Sequence, residues 1–133
     1  MAETFGFELV SPEKLLLSVD AEMVVVPGEA GDFGVLPGHA PVISTLRNGI
    51  IEVTQNGSVA ERIFVAGGFA EMSNDKLTVL AEEAVPVSKL DRAKVAQQLK
   101  DAQEDCEDAK DDHTRARCQA QVDKYAAMLE LAA

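Results

Sequence analysis

Between Thr4 and about Glu83 the apolar residues keep a period of two. Phe5, Phe7 and Leu9 alternate with polar or small neighbours, and so do Ile63 and Val65 in "RIFVA" and Leu77 and Val79 in "KLTVL". That spacing puts one face of a strand into a core. Clusters of turn-forming residues interrupt it about every eight to twelve positions: "EAGD", "LPGHAP", "RNG", "QNGS", "AGG" and "SND". Asn56-Gly57 accepts the positive φ angles of a type I′ turn, so "IIEVTQ" and "SVAERIF" are expected to form a tight hairpin. Asn74-Asp75 predicts a second hairpin between "GGFAEM" and "KLTVL". Many short strands with no helical stretch between them predict an antiparallel β-sandwich or flattened barrel.

The period changes around Val85-Pro86-Val87. Pro86 cannot donate to a ladder and biases Val85 towards an extended conformation, so the sheet is expected to stop there. Ser88 is the expected N-cap of a helix, with Asp91 at its third position as a weak capping box. Beyond it no Gly or Pro occurs, and Ala, Gln, Lys, Asp, Glu and Leu dominate, all but Asp good helix formers. Leu99, Ala102, Cys106 and Ala109 fall at heptad spacing, as do Cys118, Val122, Tyr125 and Leu129. "KDDHT" between the two rows reads as a turn, with Asp112 or Thr114 capping a second helix. Counting outward from Asp112 sets Cys106 opposite Cys118, Ala102 opposite Val122 and Leu99 opposite Tyr125. The seam is read as rich in small residues: Ala93, Ala96, Ala102, Ala109, Ala116, Ala120 and Ala126. Such a seam buries little apolar area, so a hairpin that docks, undocks or extends stands level with a permanently folded one. The fold class expected is thus α+β: an antiparallel β-sandwich over residues 1–87, then an antiparallel two-helix hairpin over 88–133.

Composition narrows the function classes. The chain has 133 residues and a net charge of −11, which argues against sequence-independent binding to nucleic acid or anionic lipid. Residues 1–87 hold 13 acids and 4 bases, whereas residues 88–133 hold 10 acids and 8 bases. The two parts differ in charge as well as in period. Apolar runs such as "LLL" and "MVVVP" are too short to span a bilayer. No secretory or transit leader is recognised. Cys106 and Cys118 are the only cysteines and lack metal-ligand spacing, so they are expected to be free thiols in a reducing compartment.

Catalytic motifs are missing. The sequence has no G-x-S-x-G, Walker lysine loop, H-E-x-x-H or dinucleotide fingerprint. Gly28, Gly31 and Gly34 look superficially like a phosphate loop, but no lysine or helix start follows. Asp32 and His39 are the one acid/base pair to consider in the strand-rich part, on separate loops and without a convincing nucleophile. A small-ligand-binding or hydrolytic sandwich built on these two residues is the alternative carried forward. His113 and the acidic run from Asp101 to Asp112 read as solvated helix surface.

"VVVPGEAGDFGVLPGHAPVISTLRNGIIEV" resembles the signature region of the epsilon subunits of F-type ATP synthases. The match runs through Gly28, Gly31, Gly34, Pro37, Gly38, His39, Ala40, Pro41, Leu46, Gly49 and Ile51. "FVAGGFAEMSNDKLTVLAEEA" is similar to the family's second stretch, and together they cover most of residues 3–87. The resemblance implies a non-catalytic rotor subunit of the central stalk that couples proton translocation through the membrane ring to ATP synthesis or hydrolysis in the catalytic head. It implies contact of Asp32, Phe33 and His39 with the c-subunit ring, and of Gly68, Phe69 and Met72 with the gamma subunit. It also implies contact of the C-terminal helices with the alpha/beta head when they extend. Location follows as peripheral, on the cytoplasmic face of a bacterial inner membrane, without lipid insertion.

No cofactor is expected. Family members that bind ATP on the hairpin carry "[IL]-D-x-x-R-A". Here Leu90-Asp91-Arg92-Ala93 sets the arginine directly after the aspartate. On a helix each residue turns the side chain by about 100°, so Arg92 leaves the face that Asp91 would share in a nucleotide site. The bases of the second helix are Arg115, Arg117 and Lys124, and "MLELAA" after them has none, which predicts little inhibition of hydrolysis by that helix.

Overall fold

A computed structural model describes residues 3–131, which fall into two compact units dividing between Ser88 and Lys89. The first unit has ten strands: β1 (Phe5–Val10), β2 (Leu15–Ala21), β3 (Met23–Gly28), β4 (Gly31–Val35), β5 (Val42–Thr45), β6 (Gly49–Gln55), β7 (Ser58–Ala66), β8 (Phe69–Ser73), β9 (Lys76–Leu80) and β10 (Glu83–Pro86). They form two five-stranded sheets, in the orders β2-β1-β9-β8-β5 and β10-β7-β6-β3-β4. Every ladder is antiparallel except β1 with β9, which run parallel from Gly6↔Lys76 to Val10↔Leu80.

Period-two patterning becomes a shared core. Phe5, Phe7 and Leu9 of β1 and Leu77 and Val79 of β9 meet Val24 and Val26 of β3, Ile51 and Val53 of β6, and Ile63 and Val65 of β7. The described residues include no buried polar or charged residue. The two predicted hairpins form with their expected backbone: Asn56 and Gly57 have φ of 52° and 82°, and Asn74 and Asp75 of 53° and 57°. Gln55 faces Ser58 across the first turn and Ser73 faces Lys76 across the second. Pro86 ends β10, an edge strand where its missing N–H costs no ladder bond.

The second unit is a hairpin of α1 (Arg92–Asp108) and α2 (Asp112–Leu131), preceded by a short 3-10 turn at Val87–Lys89. Its caps differ from those expected. Ser88 lies in the 3-10 turn, and Asp91 is the N-cap of α1: extended at φ −104°, ψ 110°, it accepts from the Ala93 and Lys94 N–H groups at 3.0 and 3.3 Å. Asp111, not Asp112 or Thr114, caps α2, accepting from the Thr114 N–H at 2.7 Å and the Thr114 hydroxyl at 3.1 Å. Both aspartates stand just ahead of the first helical residue, where orphan N–H groups point back at them. Those hydrogen bonds, the backbone one first, hold the Asp111 carboxyl below its ordinary value.

The seam is narrower than the alanine pattern suggests. Only Val95 and Ala102 of α1 and Cys118 and Met128 of α2 are buried, while Ala93, Ala96, Ala116, Ala120 and Ala126 are exposed. Ala93 and Ala96 stand two positions before and one after Val95, which rotates both off the Val95–Ala102 stripe. The expectation of free thiols is also corrected: Cys106 and Cys118 form a disulfide with their Cα atoms 5.4 Å apart. Their facing places across the turn bring the two backbones within bridging range.

Candidate functional site

The glycine- and proline-rich stretch forms an arch between the two sheets. β3 and β4 make a tight hairpin, with Gly28 opposite Gly31 and Pro27 opposite Asp32. Asp32 therefore lies within a strand rather than on a loop. β4 then climbs to Val35, the backbone crosses to the other sheet through Leu36–Pro41, and β5 returns beside β8. Leu46 closes the arch by bridging to Gly28.

At its feet the arch is fastened by Arg47, a residue that sequence reading passes over. The Arg47 guanidinium donates to Asp32 Oδ1 and to the Gly28 carbonyl, and the Arg47 N–H donates to the Pro27 carbonyl at 3.0 Å. The ion pair is solvated, with side chains 43% and 59% exposed for Arg47 and Asp32. Phe33, half-buried, packs against the sandwich core. Its ring lies within 3.0 Å of the place a Gly28 Cβ would occupy, so the glycine makes room for it.

At the crown, Pro37 and Gly38 fill the central positions of a turn in which the His39 N–H donates to the Leu36 carbonyl at 3.1 Å. Gly38 has φ +80°, as the third residue of a type II turn requires. The Gly38 N–H donates to Asp75 Oδ1 at 3.1 Å, tying the crown to the β8–β9 turn. His39 Nδ1 lies 2.7 Å from the Ala40 carbonyl oxygen, a contact in which the ring nitrogen must donate.

Asp32 and His39 are thus not brought together. The foot connects to the start of β8, since the Leu46 N–H donates to the Gly68 carbonyl at 2.9 Å, whereas the crown is held by Asp75 beyond the end of β8. A strand length separates them, each with a different partner. No hydrogen bond joins Asp32 to His39 among the described residues.

The residues expected to face gamma divide as well. Phe69 is 42% exposed on the outer face of its sheet. It continues a row across the strands: Phe69 opposite Leu80, Leu80 opposite Val10, and Val10 opposite Leu15, itself 54% exposed. Met72 is buried in the sandwich core and offers nothing to a surface, because β8 alternates and Met72 is three residues from Phe69. Gly68 has φ +101°, and a Cβ there would stand 1.9 Å from the Leu80 carbonyl oxygen. It shapes the start of β8 rather than presenting a side chain. Among the hairpin candidates, Asp91 is occupied as the α1 cap and Arg92 is exposed. No cluster of three or more His, Cys, Asp or Glu side chains able to hold a metal occurs among the described residues.

Comparison with known proteins agrees with this architecture at both ends of the sequence. The family model of the beta-sandwich domain of the ATP synthase Delta/Epsilon chain matches residues 4–87. That of the C-terminal domain of the ATP synthase epsilon chain matches residues 91–133. The protein is 50% identical to the ATP synthase epsilon chain of Maricaulis maris, over all of this sequence and 99% of that one. It is 51% identical to the one from Rhodospirillum centenum, over all of this sequence and 94% of that one. The fold is similar to a subunit in the cryo-EM structure of Euglena gracilis mitochondrial ATP synthase, OSCP/F1/c-ring in rotational state 1. There the TM-score is 0.79 at 23% identity, over 94% of this protein and 79% of that subunit. A subunit of the Tetrahymena thermophila mitochondrial ATP synthase central stalk/c-ring gives a TM-score of 0.67 at 12% identity, over 97% and 96%. The arch, the double-glycine strand and the capped hairpin stand in the order in which one family carries its two domains, and this chain belongs to the epsilon chains of ATP synthase.

Proposed function

We propose that the protein is a non-catalytic rotor subunit of the central stalk, which couples proton flow through the membrane ring to ATP synthesis and hydrolysis. The observation that carries this reading is the match of both domains, at about 50% identity, to curated ATP synthase epsilon chains across the whole sequence. The separate partners of Asp32 and His39 speak against the hydrolytic or ligand-binding alternative, since Asp32 is paired with Arg47 and the His39 ring nitrogen is taken up by the neighbouring Ala40 carbonyl.

The foot of the arch, with Asp32 and Phe33, meets the c ring. Asp32 is held in position by Arg47 yet more than half exposed, so its carboxylate can face a basic side chain on a ring loop and set register there. The outer row of Phe69, Leu80, Val10 and Leu15 is the apolar surface for gamma, and the C-terminal helices reach the alpha/beta head when they extend. Asp91 serves as a cap instead of a nucleotide ligand, which supports a hairpin without bound ATP. The location is peripheral, at the cytoplasmic face of a bacterial inner membrane; no helix among the described residues is long and apolar enough to cross one.

ATP-driven proton pumping by the reassembled enzyme tests the reading. Asp32→Ala should reduce pumping per ATP hydrolysed severalfold, and His39→Ala at the far end should reduce it much less. Full coupling in the Asp32 variant would overturn the ring contact. Equal losses in both would overturn its assignment to the foot.

A further inference from the structure

We propose that the Cys106–Cys118 disulfide is a redox lock on the helical hairpin, closed by oxidation and released by a dithiol. The bridge joins α1 to α2 across the turn, 12 positions apart in sequence, with Cα atoms 5.4 Å apart. If the turn straightened into a continuous helix, the same two Cα atoms would stand about 18 Å apart at 1.5 Å per residue. A disulfide spans at most about 7 Å between Cα atoms. The bridge and the open arrangement therefore exclude each other.

The rest of the hairpin resists opening weakly. Val95, Ala102, Cys118 and Met128 are its buried side chains, and one of the four belongs to the bridge itself. Beyond forbidding the straightened form, closing a loop of about a dozen residues disfavours a disordered, unpaired hairpin by about a hundredfold. With so little apolar area in the seam, that factor decides which arrangement prevails.

The bond is within reach of a reagent. Cys106 is half-buried, and Cys118 lines a groove along the hairpin together with Ala102, Asp105, Arg117 and Tyr125. In the releasing step, a thiolate of the dithiol attacks one sulfur and the Cys106–Cys118 bond breaks. The displaced sulfur leaves as a thiolate and takes a proton. The second thiol of the reductant then displaces the mixed disulfide, closing its own disulfide and freeing the other cysteine. Two electrons and two protons pass to the protein. A low-molecular-weight disulfide reverses the sequence and locks the hairpin again.

Amide hydrogen exchange on the full-length protein, oxidised with glutathione disulfide and then reduced with dithiothreitol, reads the lock directly. Reduction should speed exchange across α1 and α2 by about tenfold or more and leave β1, β6 and β7 unchanged. The Cys106→Ser/Cys118→Ser variant should exchange like the reduced protein and ignore dithiothreitol. The wild-type comparison stands alone if that variant folds poorly. Hairpin exchange that is the same in both redox states would overturn the proposal, and so would cysteines that alkylate as free thiols after oxidation.

Discussion

The sandwich and the hairpin are built to opposite specifications. In the sandwich Phe7, Leu9, Ile51, Met72, Leu77 and six valines are fully or almost fully buried. At about 25 cal/mol per Å² of apolar surface removed from water, such a core is self-sufficient. Two helices totalling 37 residues bury four side chains, one of them alanine. Burial therefore holds the sandwich, while caps at the helix starts and one covalent bond hold much of the hairpin. The difference is one of local stability: a region held by many buried apolar contacts opens only with its whole domain, whereas a region with few of them can open by itself.

The largest effect is expected in the sandwich. Phe7→Ala removes a fully buried ring and should cost about 3–5 kcal/mol. Urea denaturation followed on the sandwich would measure it, and a cost near that of a surface substitution would show that the core is not where the stability lies. Asp91→Ala probes the hairpin at a gentler level. Losing the cap of α1 should cost about 1 kcal/mol, seen as faster amide exchange at Ala93 and Lys94 with the sandwich strands unaffected; equal loosening of both units would contradict their separate stabilisation. The smallest effect is acid fraying of α2. Because Asp111 has a depressed carboxyl pKa in the folded protein, its contribution is fully present above its unfolded value of 3.8 and is lost as the pH falls through the lower folded value. An NMR titration should show the Thr114 amide leaving its capped shift with a midpoint below pH 3.8; a midpoint well above that would sink the assignment.

Local chemistry made much of the molecule legible. Period-two spacing located the sandwich strands, Asn56-Gly57 and Asn74-Asp75 located two turns, and Pro86 located the end of the last strand, because each acts through its own dihedral angles or its nearest neighbours. Counting across the turn put Cys106 opposite Cys118. The bond between them was not legible, because a pair of cysteines without metal spacing looks the same reduced or oxidised. The caps lie one to three residues from their expected places, since Ser88, Asp91, Asp111 and Asp112 are all good capping residues and only the path of the backbone selects among them.

Local patterns along the chain set the two-part organisation and the alternation that builds the core. That the stretch from Gly28 to Leu46 is an arch, that Arg47 fastens its feet to Asp32, and that His39 stands at the crown away from both follow from the packing of the two sheets. Pairings of that kind join residues 15 or more positions apart, and their partners are chosen by how two sheets stack, which no local pattern encodes.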